Sequence, residues 1–429
     1  MKFKQLALVG LPALVLGLLI GNLWWNPPTR AFFDPGYWSG LGKVGEAMRL
    51  IHFRYVNEEK ASFEHLSEAS VSELVNSLDK HSRYMSVEDF NDFELSSKRQ
   101  YFGVGVAILK VDDRIMITRV FPGGGAEAAG VLAGDRILAV ESKSTVGVSS
   151  AEVSALIRGV AGTKVSLLLE DDNSSRREVQ VSRGKVQLAS VEDIRMIGEI
   201  GYLRIDQFTM RTGKEFDAAM ASLKESGMQF LVIDLRGNAG GLLKAAVEVL
   251  GHFFELDEEV VSIAGRSRAR GNLFHSSGKG GGVWPTVVLI NGGSASSSEI
   301  VAGALQVTGK AKLVGASSYG KGSVQTIFSL DDGSGMRLTT ARYFLPGNIP
   351  IGEDGLSPDL KVACDDDTWR KVLLQRDQYP IANVELFEKR FGFAPVEDPQ
   401  LEMALRVLKG EPTDQVEQTK VPEGNSTDP

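Results

Sequence analysis

The chain has 429 residues, enough for two or three domains, with 43% hydrophobic residues, 24% charged residues and a formal net charge of -8. That acidic balance argues against nucleic acid as a partner. Cys364 stands alone, which excludes an internal disulfide and a cysteine zinc cluster, and the five histidines show no metal-ligand spacing, so no cofactor is expected.

The first 30 residues carry Lys2 and Lys4, then no charge from Gln5 to Thr29. About 20 apolar residues cross a bilayer core as a helix, and Trp24 and Trp25 stand where an interfacial aromatic belt would lie. A cleaved signal peptide is the rival reading, but no small-x-small cleavage site follows the apolar run. Either way the lysines stay inside and the body is exported, which places it on the extracytoplasmic or periplasmic side of a bacterial-type envelope. Gly17 and Gly21 form a Gly-x-x-x-Gly, equally consistent with helix pairing and with ordinary membrane-helix glycines.

Residues 31–100 carry apolar residues at helical spacing and are expected to form a helical N-terminal region. From Tyr101 the pattern alternates and becomes β-branched. "YFGVGVAILKVDDRIMITRVF" reads as two strands, and further strands with two short helices complete a small β-rich domain over 101–185. Residues 186–363 alternate strand and helix, which implies an α/β sheet that is at least partly parallel. A helical region is expected over 364–410, with Asp398 and Pro399 starting its last helix and Gly410 stopping it. Residues 411–429 lack apolar pattern and are expected to be a disordered tail.

"GASSYGKGSVQ", Gly315 to Gln325, nearly spells a phosphate-binding loop. Such a loop needs Ser or Thr directly after its lysine and a helix beginning there. Gly322 follows Lys321, and "SVQTIFSL" is alternating and β-branched, so both conditions fail. If a strand begins at Lys321, then Lys321, Ser323 and Gln325 share one face. Lys321 is then either an edge lysine or a desolvated lysine able to act as a general base.

"LINGGSASSSEIVAGAL" puts Ser294, Ser296, Ser297 and Ser298 where an apolar strand gives way to a helix. A hydroxyl there lies near free amides and a positive helix end, which suits a nucleophile, although serines before a helix are commonly caps. "VIDLRGNAGG" repeats the strand, glycine turn and helix, so Gly240 and Gly241 could present amides to a developing oxyanion. Ligands of α/β sheets gather at the carboxyl ends of strands, so the two turns could share one cleft.

These segments resemble the C-terminal processing (tail-specific) protease family of serine endopeptidases. The similarity rests on "NGGSASSSEIVAGALQ" followed by "GASSYGKGSVQ", on "DLRGNAGGLL", and on "YFGVGV", "GVLAGDRILAV" and "VAGTKVSL", which look like that family's embedded PDZ domain. It extends over most of residues 40 to 410, including "LDKHSRYM" and "GLSPDL". The resemblance implies an α/β protease core with a crotonase/Clp-like sheet, plus the PDZ domain. It implies Ser296 as nucleophile, Lys321 as general base and Gln325 as the residue that holds the lysine. The amides of Gly241 and Ser297 are then the oxyanion donors. Phe102, Gly103, Val104, Gly105 and Val106 are the expected peptide-binding loop and wall, receiving an apolar C-terminal tail. An accessory or adaptor protein and a homo-oligomer are compatible with this picture. Ser297 and Ser298 depart from the smaller residues, often alanine, usual beside the family's nucleophile, and Ala239 and Lys80 replace frequent prolines.

The competing reading is an exported PDZ scaffold with an inactive protease-like domain, against which the intact Ser296, Lys321 and Gln325 argue. A penicillin-recognising acyl enzyme is suggested only by Ser77-x-x-Lys80 and Ser276-x-x-Lys279, without that class's companion motifs.

Overall fold

The computed structural model describes residues 31–97, 101–111, 113–186, 188–266, 271–279, 284–376, 378, 381 and 383–413. The apolar run expected to be an anchor and the tail from 414 onward lie outside the described residues. Among the described residues, no helix is long and apolar enough to cross a membrane.

The chain divides into two compact units. The first comprises residues up to 91 together with 326–338. Its helix Pro35–Arg54 is capped by Asp34, whose side chain accepts the Gly36 N–H, and it buries none of its residues within the unit. Helix Phe63–Asn76 follows, capped by Ser62. Strand Arg83–Met85 pairs antiparallel with residues 335–337. Gly335 is required there, because a Cβ would meet the Phe90 ring at 2.4 Å.

The second unit comprises residues 92–325 and 339–429. Its centre is a six-stranded sheet. Strand Val191–Ile197 lies antiparallel to Ile200–Ile205, and then Phe230–Asp234, Thr286–Ile290, Ala311–Gly315 and Leu360–Lys361 add in parallel. Both faces are covered, so the strands read as continuous apolar runs. Leu231, Ile233, Val288, Ile290 and Leu313 pack on one face with Phe216, Val249 and Val301 from three helices. Their neighbours Val232, Val287, Leu289 and Val314 pack on the other face with Met403 and Leu408 of helix Pro399–Lys409. The two-residue period of a strand makes that division.

A buried ion cluster ties that last helix to the sheet. Arg236 is fully buried and binds Asp234 at 2.7 Å and Asp398 at 2.7 Å. It also donates to the Gln400 side chain at 3.0 Å. Burial alone would raise the Asp234 carboxyl, but Arg236 reverses this and holds it well below the ordinary carboxylate range.

The small β-rich domain is a five-strand path with one short strand beside it, and its helix Ser150–Ile157 opens with a Ser149–Glu152 capping box. Its entry and exit segments, Tyr101–Gly103 and Gly184–Val186, pair antiparallel. It is tethered to the sheet by Glu192, which accepts two bonds from Arg119 of the small domain and one from buried Arg204 at 2.8 Å. It is tethered again at Met116, which packs with Leu374, Phe387 and Phe391 of the C-terminal helices.

Strand 191–197 was not anticipated from the sequence, because "VEDIRMI" interleaves charge with apolar residues and carries a register shift between Glu192 and Arg195. The strand expected at Lys321 begins two residues later, at Ser323.

Candidate active site

The parallel strands 230–234, 286–290 and 311–315 all point their carboxyl ends toward one edge, and the three turns that follow carry the candidate residues. The 235–242 turn is held by Asn238. Its amide nitrogen donates to the Ile205 carbonyl at 2.7 Å, and its amide oxygen accepts the Gly240 N–H at 2.8 Å. Gly240 has φ +97°, and a Cβ there would lie 2.6 Å from the Ala295 carbonyl and 2.8 Å from Ser296 Cβ. Close approach to the Ser296 turn therefore demands glycine.

Ser296 stands at the junction with helix Ser297–Val307 and has φ 56° and ψ -115°. Positive φ at a serine stores about 1–3 kcal/mol of strain, which persists only where neighbours enforce it. The enforcement is visible. Ala295 N–H donates to the Asn238 carbonyl at 3.0 Å, Ser298 Oγ to the same carbonyl at 2.8 Å, and Ser294 Oγ to the Leu235 carbonyl at 2.8 Å. Ser296 itself is partly exposed, whereas Ser294, Ser297 and Ser298 are fully buried. Of the four serines, only Ser296 is accessible.

Glu299 joins this turn to the lysine turn. Its carboxylate is fully buried. Oε2 accepts the backbone N–H of Ser296 and of Lys321, each at 2.8 Å. Oε1 accepts the Gly320 N–H at 2.7 Å and the Ser318 hydroxyl at 2.5 Å. Ser318 Oγ in turn accepts the Leu356 N–H at 2.7 Å. Four donors thus satisfy one buried carboxylate. Glu299 was missed in the sequence reading, although its position three residues after Ser296 is the capping-box spacing that would have flagged it.

Lys321 is partly buried at the end of this turn. Ser323 and Gln325 share a strand face, and Gln325 Nε2 donates to Ser323 Oγ at 2.7 Å. Among the described residues, the N–H groups of Gly241 and Ser297 donate to no backbone carbonyl, and Gly241 is exposed. Ser77 and Lys80 belong to the first unit. Ser276 Oγ donates to the Phe254 carbonyl and Lys279 binds Asp217 at 2.9 Å, so neither forms a nucleophile pair with the other.

A second concave site lies in the small domain. A cavity of about 170 Å³ is lined by Gly103, Val104, Gly105, Val106 and Phe121, with Ile157 and Arg158 beside them. Val104 both lines the cavity and belongs to the domain core. The side chain of Phe102 lies outside the described residues. Leu188, on the segment leading to the six-stranded sheet, forms part of the same wall.

Residues 199–362 match the model of peptidase family S41, and residues 92–170 match that of the PDZ domain. A carboxy-terminal-processing protease of Bartonella bacilliformis is 34% identical over 333 residues, covering 75% of each chain. The carboxy-terminal processing protease CtpA of Bacillus subtilis is 30% identical, covering 76% of this chain and 69% of its own. A Bacteroides fragilis protein assigned to the S41 proteases shares the fold, with a TM-score of 0.53 and 18% identity over 80% of this chain and 90% of its own. The chain belongs to the carboxy-terminal-processing protease family of S41 serine peptidases.

Proposed function

We propose that this peptidase works by a Ser296–Lys321 dyad. Neutral Lys321 takes the Ser296 hydroxyl proton as Oγ attacks a peptide carbonyl. The amides of Gly241 and Ser297 receive the oxyanion, and Gln325 helps orient the lysine. The tetrahedral intermediate collapses as the leaving amine takes a proton from Lys321. Water activated by the same lysine then hydrolyses the acyl-enzyme. The observation that carries this reading is the shared Glu299 oxygen, which binds the backbones of nucleophile and base to one anchor.

The cavity lined by Gly103 to Val106 supports a role for the PDZ domain in receiving apolar C-terminal tails of protein substrates. Residues 5–29 would anchor the enzyme to the inner membrane of a bacterial-type envelope with the catalytic body outside the cytoplasm.

Lys321→Ala and Ser296→Ala should each abolish turnover with unchanged melting temperature. Retained cleavage in either purified variant contradicts the dyad. Alkaline carbonate extraction tests the anchor, and release of the full chain from membranes contradicts it.

A further inference from the structure

We infer that the Ser297 side chain is a positioning group that aims the Gly241 amide, a role distinct from that of its own backbone N–H. The inference rests on Ser296 being the nucleophile.

Gly241 needs outside help to hold one conformation. Its φ is +146°, and a Cβ would lie 2.0 Å from the Phe208 carbonyl oxygen, so no side chain is possible there. A residue without Cβ has broad backbone freedom. The two peptide units that meet at Gly241 are nevertheless clamped. The Gly240 carbonyl accepts the Phe208 N–H at 3.0 Å. In a trans peptide the carbonyl and the N–H point in opposite directions, so the Gly241 N–H is turned away from Phe208. On the next unit, Leu242 N–H donates to the Phe208 carbonyl at 2.8 Å, and the Gly241 carbonyl accepts Ser297 Oγ at 3.0 Å.

Phe208 therefore grips the turn from one side, and the buried Ser297 hydroxyl fixes it from the nucleophile side. Ser297 directly follows Ser296, so this bond sets the distance between attacking residue and oxyanion donor. A donor stabilises the transition state only if it is aimed before charge develops. Alanine at 297 would remove this donor and leave the direction of the Gly241 carbonyl unfixed from that side.

The test uses the full-length protein and a peptide substrate. An aldehyde analogue provides the transition-state probe, because Ser296 Oγ adds to its carbonyl carbon, the π bond breaks onto oxygen, and the hydroxyl proton passes to Lys321. Ser297→Ala is expected to lower kcat about threefold to tenfold, the worth of one hydrogen bond, with KM unchanged. Aldehyde affinity should fall by the same factor. Binding of an uncleaved peptide, measured in the Ser296→Ala background, should not change. Ser297→Cys keeps the volume with a weaker donor and should fall between, which preserves the test if the alanine variant folds poorly. Unchanged kcat and aldehyde affinity in both variants would overturn the inference. So would an equal loss of aldehyde and uncleaved-peptide binding, which marks a loosened loop. Turnover by Ser296→Ala alone would overturn the dyad, and this inference with it.

Discussion

The backbone amides of Ser296 and Lys321 meet on a single atom, Oε2 of Glu299, at 2.8 Å each. The proposed nucleophile and base are 25 residues apart in sequence and sit on different turns, so their separation is set by this carboxylate and the sheet behind it. Glu299→Gln places an amide where only acceptors fit. At least one charge-assisted bond, worth about 1.5–3 kcal/mol, must be lost. A fall in kcat of about 10-fold to 100-fold is expected, and kinetics on the folded variant would measure it. Wild-type kcat would remove Glu299 from the account.

Gly240→Ala should be inactive. Its Cβ would lie within 3.0 Å of the Ala295 carbonyl, Ser296 Cβ and Ser297 N, and φ +97° is strained for alanine. Since the PDZ groove lies on another part of the chain, titration with a C-terminal peptide should give wild-type affinity while cleavage is lost. Full activity would mean the turn is not packed against Ser296.

Two glycines of the PDZ loop should separate binding from folding. A Cβ at Gly103 meets nothing within 4 Å, so Gly103→Val should fold normally and fill the cavity that Gly103 lines. Gly105 has φ +85°, and its Cβ would lie 2.9 Å from Gly124 Cα, so Gly105→Val should distort the domain. Peptide affinity with thermal melting distinguishes the cases. Unchanged affinity in Gly103→Val would count against the groove.

Asp193 should give the fold a specific pH dependence. Burial pushes its carboxyl up to about 6 despite Arg195 at 2.7 Å. Its unfolded value is about 3.9. Between these values the folded state holds a proton that the unfolded state has lost, so this group's contribution to stability falls as pH rises from about 4 to 6. Asp193 has φ 51°, a conformation asparagine also adopts. Asp193→Asn should therefore gain on wild type by about 2–3 kcal/mol between pH 4 and pH 7.5, read from denaturant melts. A difference that is flat with pH would show that Asp193 stays ionised throughout.

Arg236→Ala should cost about 3–5 kcal/mol, because it strands the fully buried Asp234 carboxylate. It also releases Asp398, the cap of the last helix. Denaturant unfolding measures the loss, and a cost below about 1 kcal/mol would contradict the clamp.

Much of this was legible in the sequence because each signal was local. The glycine turn after "VIDLR", the serine cluster before "EIVAGAL" and the failed phosphate loop at Lys321 all declare themselves within about ten residues. Glu299 was not legible as a clasp, because its partners Ser318, Gly320 and Lys321 lie about twenty residues on and are reached mainly through backbone amides, which leave no side-chain pattern. Phe208 escaped for the same reason, since it acts through its own amide and carbonyl. Ser297 reads in the sequence only as a departure from alanine, because its bond to the Gly241 carbonyl joins residues 56 apart in the chain.

Ser296 is the proposed nucleophile, and its removal is the most direct test. The full-length protein and Ser296→Ala would be incubated side by side with an unfolded protein ending in apolar residues, and the fragments read by mass spectrometry. Fragments from the wild type alone are the expected result. Equal cleavage by both proteins would show that another residue carries the chemistry.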